Sequence, residues 1–545
     1  MVPRESFPNE RLRAPSEHGQ ALIRPSLTSL ETSLAQYHEQ LPDQDQQSWL
    51  GRPWSEIVAT ARRDLWTEAI KHSSEYLDTS ILKNTDTSRI VLLGHQPELF
   101  HAGVWFKNFL AAALSESLSA VTINLLIDNA TLNSPAIKVP AGNPADPQIE
   151  TVAYDQTSHP VPFEARDVLD HDLFASFAGR VKTATSGWID NPLIEALWPL
   201  VIEGHQATGN LGLALARGRH LLEQQWGIHN LDVPLSAVCN GESFSWFLAG
   251  ILSQLPRFWE IHNTSLAEYR EAYRLRSKSH PVPTLGKDGD WFEAPFWVWS
   301  TTDPQRLPLF VRRQAGQIEL TNQQQLTCRL SMSDAEDGQS LVEQLVVQQK
   351  QGMCIRPRAL TTTMYARVVL SDLFVHGIGG GRYDQLTDVI VQRFFGFAPP
   401  DFLTATATLQ LPIDLPACQQ ESLGDLNRQL REIKFSPELY LSESTGAPVE
   451  ANSELAQLIS EKQSLLADLQ SGQSPTATWH QRLAQINQQL QAFTTKSREQ
   501  LAKHRETLQA ATEQRSLLSS REFSFCLFPQ KTLCPLLLAL SGEGL

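Results

Sequence analysis

The sequence predicts an α/β protein: a Rossmann-like parallel-sheet core with insertions, then a C-terminal antiparallel coiled-coil hairpin. Three observations predict it. Arg89–Leu114, RIVLLGHQPELFHAGVWFKNFLAAAL, passes from a short apolar run through a loop bearing Gly94 and Gly103 into a helical stretch. Ala120–Asp128, AVTINLLID, is apolar and ends in an acid, so strand, helix and strand form a parallel βαβ unit. Ser453–Ser520 is rich in Leu, Gln, Ala, Glu and Lys, and Leu483, Ile486, Leu490 and Phe493 follow the spacing of a heptad seam.

The bulk numbers agree with a folded enzyme-sized chain. At 545 residues it exceeds one ordinary core, and 41% hydrophobic with 19% charged content is globular. A net charge of −15 argues against non-specific nucleic-acid binding. Cys239, Cys328, Cys354, Cys418, Cys526 and Cys534 form no Cys-x-x-Cys, so zinc-ribbon and thioredoxin signatures are missing and reduced thiols are expected. The opening MVPRESFPNERLRAP lacks the apolar centre of a signal peptide, and no run approaches a membrane span. The expectation is a cytoplasmic protein with a small-molecule substrate and neither nucleic acid nor membrane as partner.

Along the chain, residues 1–20 are polar and read as mobile, and Leu27–Leu41 and Trp54–Ile81 carry helical spacing. Residues 1–88 therefore read as a helical preface. The core, 89–435, opens with strand Ile90–Leu93 and helix Val104–Leu114. Ile149–Tyr154 and Pro160–Ala165 are weaker strand candidates, and Asn191–Gly227 is helical with breaks. Val233–Cys239 is a short strand; Phe244–Leu255 and Trp259–Arg276 are helices, the latter ended by His280-Pro281-Val282-Pro283. An antiparallel β insertion over about 286–330 holds Trp291–Trp299 and a hairpin around Ala315-Gly316. Glu293 is the polar exception in that aromatic strand. Cys354–Leu360 reads as a core strand, Thr361–Leu370 as a helix, Leu373–His376 as a strand, Gly377–Arg382 as a loop, Tyr383–Phe395 as a helix and Thr404–Leu411 as a strand. The hairpin, 436–520, pairs the Leu483–Leu508 stripe with Leu455, Leu458, Leu465 and Leu469 across a turn at Ser471–Pro475. Glu522–Phe528 reads as a strand returning within 521–545.

The candidate chemistry lies at strand ends, where open parallel sheets bind ligands. Gly94 permits a tight turn, and His95, Gln96 and His101 place donors beside a helix N-terminus beginning near Gly103, suited to phosphate oxygens. A plain strand–helix connection explains the same letters. His376 leads into Gly377, Gly379, Gly380, Gly381 and Arg382, which suit a backbone cradle with a phosphate-pairing guanidinium. Asp128 and Asn129 end the second strand, where Asp128 would orient an amine or ribose; a turn-initiating pair is the bland reading. Asn240, Glu242 and Arg356 are candidate substrate contacts, with capping or surface pairing as their bland explanations. No metal is expected, because no short-spaced ligand pair anchors His95, His101, Asp128 and His376.

These letters resemble the cysteine-adding ligase (bacillithiol synthase) family of bacillithiol biosynthesis. Gly94, Gln96, Leu99, Phe100 and Gly103 match its first loop, Arg356-Pro357 precedes a helix and a later glycine loop, and Phe528, Pro529 and Leu533 follow the coiled coil in the family's order. His95, Glu98 and part of Ala102–Val104 depart, as do Asp128–Thr131 and Cys534–Leu536. The resemblance implies a ligase-like, carbon–nitrogen bond-forming enzyme. It would join an amino acid, cysteine in the family, to an amine of a small polar acceptor, using ATP or another adenine nucleotide, as a homodimer held by the coiled coil. In that reading His95, Gln96, His101 and Asp128 are catalytic, and the two glycine loops hold the nucleotide. Two other classes compete. A non-catalytic scaffold would show loops that fail to converge, or a filled crevice. A metal-dependent hydrolase would need three of His95, His101, Asp128 and His376 around one point.

Overall fold

The computed structural model describes residues 7, 12–30, 32, 34, 47–80, 89–143, 146–277, 279–280, 282–314, 316–332, 338–414, 422–441, 453–470 and 474–542. Most of Leu27–Leu41, the end of the Trp54–Ile81 stretch, Pro281, Ala315 and Ser471–Gln473 lie outside them, as does much of residues 1–20.

A six-stranded sheet is built from Gln20–Arg24 (β1), Ile90–His95 (β2), Val121–Leu126 (β3), Leu231–Pro234 (β4), Leu373–His376 (β5) and Phe402–Thr408 (β6). Its order is β1-β6-β5-β2-β3-β4, and all neighbours are parallel except β1, which runs antiparallel on β6. The parallel strands grow outward from β2 through β3 to β4, then restart on the other side of β2 with β5 and β6. That reversal is the doubly wound, Rossmann-like order, and it puts the switch point between β2 and β5. Ile90, Val91, Leu92 and Leu93 are all buried. Both faces of the strand are covered, hence its unbroken apolar run.

Helix α1, Trp54–Ser74, puts Trp54, Ile57, Ala61, Leu65 and Ala69 into the core. Helix α2, Ala102–Leu118, is apolar nearly all round and buries Trp105, Phe106, Phe109, Leu110 and Leu114. Further helices include α3 (Leu211–Gln225), α4 (Leu255–Ala272), α5 (Ala359–Tyr365) and α6 (Ile378–Phe395). A second sheet is antiparallel, in the order Thr327–Ser331, Gln317–Thr321, Asp303–Gln314, Trp291–Ser300, Met353–Pro357. The hairpin around Gly316 is present, with Gln314 facing Gln317.

Several expectations change. The Cys354 strand pairs with Trp291–Ser300, so it closes the insertion and does not extend the parallel core. Pro160–Ala165 ends in a 3₁₀ turn, Phe163–Ala165, not a strand. Val233–Cys239 is half strand, then a short helix from Leu235. Gly377–Arg382 is not a loop: α6 begins at Ile378, so the glycines form its first turn. Glu522–Phe528 makes a 3₁₀ turn at Phe525–Leu527 and an isolated bridge from Ser524 to His101. β1 itself was not anticipated.

The chain divides into two compact units, one comprising residues 1–141, 149–412 and 521–545, the other residues 142–148 and 413–520. In the second, helices Leu423–Phe435, Ser453–Gln470, Ala477–Ala492 and Thr495–Leu518 surround a small cluster of Leu441, Leu455, Ile486 and Leu490. Arg482 pairs with Glu461 at 2.6 Å, and Trp479 Nε1 donates to Leu465 O at 3.0 Å. The Leu483–Leu508 stripe is interrupted where one helix ends at Ala492 and the next starts at Thr495.

Candidate functional site

The parallel register sets Leu93 beside Val375, so β2 and β5 end together, with His95 and His376 at the switch point. Between and above them opens a cleft of about 580 Å³. That is room for a small cofactor or drug-sized ligand. Gly94, His95, Gln96, Asn129, His376, Gly377 and Gly380 line it, so both predicted loops converge on one open crevice.

His95 is buried, and its Nε2 lies 2.6 Å from Asn108 Oδ1. Asn108 Nδ2 donates to Glu223 Oε1 at 2.9 Å, which turns Oδ1 toward the imidazole. Nε2 therefore carries the hydrogen and Nδ1 is the base. Burial, then the charge of Lys107, pushes His95 well below the usual imidazole range, so it is neutral at pH 7. Behind it Arg219 holds Glu223 and Asp232, both fully buried.

His376 Nε2 meets Asp384 Oδ2 at 2.8 Å. Asp384 also accepts from Thr363 Oγ1 at 2.8 Å and Arg367 Nη1 at 2.7 Å. Arg367 and His376 hold its carboxyl well below the usual carboxylate range despite burial. Burial lowers His376, and Asp384 works against that. Gly377 caps α6, whose first-turn N–H groups are free to meet an anion. A Cβ at Gly380 would stand 2.4 Å from His376 Nδ1, so only glycine lets the ring lie there.

Lys107 is the feature that sequence reasoning passed over. It is 5% exposed and lines the cleft. Its Nζ reaches Gly94 O at a long 3.4 Å and lies 4.0 Å from where a Cβ on Gly377 would be. No carboxylate pairs with it among the described residues. Burial lowers its pKa to about 7. A lysine inside VWFKNFLAAAL, an otherwise apolar helix, was the available signal.

The antiparallel sheet forms the facing wall. Arg306 Nη1 donates to Asn129 O at 2.9 Å, and Asn129 Nδ2 donates to Pro357 O at 2.8 Å. Arg358 Nη2 donates to Glu293 at 2.6 Å, which gives the aromatic strand's lone acid its role. The two guanidiniums lie 4.8 and 4.1 Å from the ring of Trp297. His262, from α4, completes this side.

Other predicted residues lie elsewhere. His101 caps α2 without a side-chain bond and faces Glu522 at 3.9 Å; burial lowers it to about 4. Gly103 serves packing: a Cβ there would stand 2.0 Å from Ala407 O. Asp128 accepts from Ser236 N at 3.0 Å and from its hydroxyl; burial and Glu164 raise it to about 7. Arg356 is buried against Glu164 at 2.9 Å, outside the cleft. Gly379 points to open space, Gly381 packs against Thr404, and Arg382 donates to Leu12 O at 2.6 Å. Asn240 caps a short helix, and Glu242 lies 3.9 Å from Arg52. The four candidate metal ligands thus have separate partners, Asn108, Glu522, Ser236 and Asp384. No group of three His, Cys, Asp or Glu among the described residues is disposed to hold a metal. No described helix is long and apolar enough to cross a membrane.

No family model matches the chain, and no curated protein matches it. Among solved structures, the tryptophanyl-tRNA synthetase of Plasmodium falciparum aligns with 87% of this chain and 93% of its own at 10% identity and a TM-score of 0.15. At that score the likeness carries no argument about fold or function.

Proposed function

We propose that the switch-point cleft binds a phosphorylated small molecule and that the protein is a ligase-like enzyme of the bacillithiol-synthase type. It joins an amino acid's carboxyl, cysteine's in the resembling family, to an amine of a small polar acceptor, with an adenine nucleotide as the activating substrate. One observation carries the reading: Lys107 is a buried amine with only a long contact to a backbone carbonyl, set beside the open N-terminus of α6, where its protonated form has no counter-charge among the described residues. A buried cation lacking its counter-charge is costly, and an anionic ligand supplies one. The open crevice favours this reading over a scaffold.

In this reading the amine nitrogen attacks the carbon of the acyl phosphate ester, the C–N bond forms, the C–O bond breaks, and the phosphate leaves as an oxyanion with the bonding electrons. Lys107 and the first amides of α6 take up that group's charge. The proton released from the amine passes to His376 Nδ1, whose Nε2 hydrogen is held by Asp384. The homodimer and its coiled-coil seam belong to the same proposal; light scattering giving the monomer mass of 60.9 kDa would remove that part.

Titration calorimetry with ATP, AMP and pyrophosphate tests the cleft. We expect binding that weakens at least about tenfold in Lys107→Met, the order of one charge-assisted contact. No phosphate-ligand binding, or binding indifferent to Lys107→Met, overturns it. The thiol pool of a deletion strain tests the substrate: a missing thiol supports cysteine addition, and an intact pool removes it.

A further inference from the structure

The chemistry at Lys107 leaves the facing wall unexplained. His262 is 5% exposed, lines the cleft, and finds no hydrogen-bond partner for either ring nitrogen. Buried polar groups are normally paired, so two unmet nitrogens on one ring mark a missing partner. Arg358 gives Nη2 to Glu293, yet its buried Nε is also unpaired. Arg306 bonds only to Asn129 O and, at 3.4 Å, to Thr131 Oγ1, with no carboxylate. Of the two guanidiniums over one tryptophan ring, Arg358 therefore has an acid, Glu293, and Arg306 has none among the described residues.

We propose that this wall is a second subsite, distinct from the Lys107 end, that takes a carboxylate of the co-substrate. Arg306 and Arg358 hold its oxygens, and His262 donates a hydrogen bond to it. Arg306, Arg358 and Glu293 leave one net positive charge at this wall, which one carboxylate group of a ligand balances. Planar guanidinium forks match a carboxylate's geometry. Burial lowers His262 to about 4, so at pH 7 it has one hydrogen to give and adds no charge. Pro295, Leu285 and Trp297 make the surroundings apolar, which strengthens such contacts. That the carboxylate belongs to a co-substrate rests on the ligase-like reading; the anion subsite stands without it.

The test uses the full chain labelled at histidine Cε1, with the His262 signal assigned by its loss in His262→Gln. Succinate and AMP are titrated separately at low ionic strength. Succinate is expected to move the His262 signal, and Arg306→Leu to weaken succinate at least about tenfold while leaving AMP unchanged. Arg358→Lys keeps the pair with Glu293 and is expected to weaken succinate as well; it serves if Arg306→Leu fails to fold. Lys107→Met should weaken AMP and spare succinate. Three outcomes overturn the subsite: no succinate binding, binding without a His262 response, or binding indifferent to both arginine variants. Succinate bound here with no AMP binding sinks the phosphate reading of the Lys107 end and leaves this subsite intact.

Discussion

Lys107 sits on a helix whose neighbouring positions, Trp105, Phe106 and Phe109, are all fully buried. Its ammonium is held below the usual lysine range, near 7, by burial. The unfolded chain keeps that proton to about pH 10.4. Between those values the unfolded state binds more protons, so stability rises with pH across the window and the full cost of the buried charge is felt below it. Lys107→Met is therefore expected to raise the melting temperature, by a margin that grows as pH falls from 10 to 7; a margin that stays flat would contradict the burial. An anion bound at Lys107 favours its charged form, so binding near pH 7–8 should take up protons. Calorimetry in buffers of different ionisation enthalpy reads that uptake directly. Asp128 carries the opposite prediction. Because Ser236 holds it and burial makes its charge unwelcome, Asp128→Asn should leave ligand binding unchanged and not lower stability, whereas a substrate-orienting carboxylate would lose binding.

At the scale of elements, the first turn of α6 separates two adjacent glycines by what a side chain would meet. Gly379 faces open space, so Gly379→Ala should stabilise by up to about 1 kcal/mol through helix propensity. Gly380→Ala must move His376 and should lose anion binding. Gly103→Ala drives a methyl into the backbone of β6 and should cost about 1–3 kcal/mol by denaturant unfolding without acting at the cleft. These contrasts also show what the letters could reveal. β2 and β5 were readable because buried parallel strands are unbroken apolar runs, and their glycine-bearing ends marked the crevice. The helical glycines were unreadable as helix, since close packing against His376 and Thr404 overrides their poor propensity. Arg356 and Arg358 stand two residues apart in IRPRAL, yet they serve different places. The strand ends between them at Pro357, so one turns inward to Glu164 and the other into the cleft. β1 was invisible because QALIR has little pattern of its own and its partner, β6, arrives only through the tertiary fold.

For the whole molecule, the two units differ in how much holds them. The first has a continuous core running from Trp54 through β2, the insertion strands and α6. The second has four fully buried apolar side chains in its cluster, with polar helix faces around them. Few buried contacts mean low local stability. In hydrogen exchange, amides of Thr495–Leu518 should exchange before those of β2, β3 and β5, and equal protection would show that the second unit is held by more than its own core.

The switch point has one more consequence, which concerns the ribosome. β2 gains one neighbour, β3, soon after it is made, but its other neighbour, β5, lies ~280 residues downstream. At roughly 5–20 residues per second that strand follows roughly 14–56 s later. Through that interval Ile90–Leu93 has a bare edge of unpaired amides and carbonyls flanked by apolar side chains, the kind of surface that recruits stray strands. The cleft thus comes into being only once β5 and the first turn of α6 have been made, and the nascent chain must be shielded along that one edge until then.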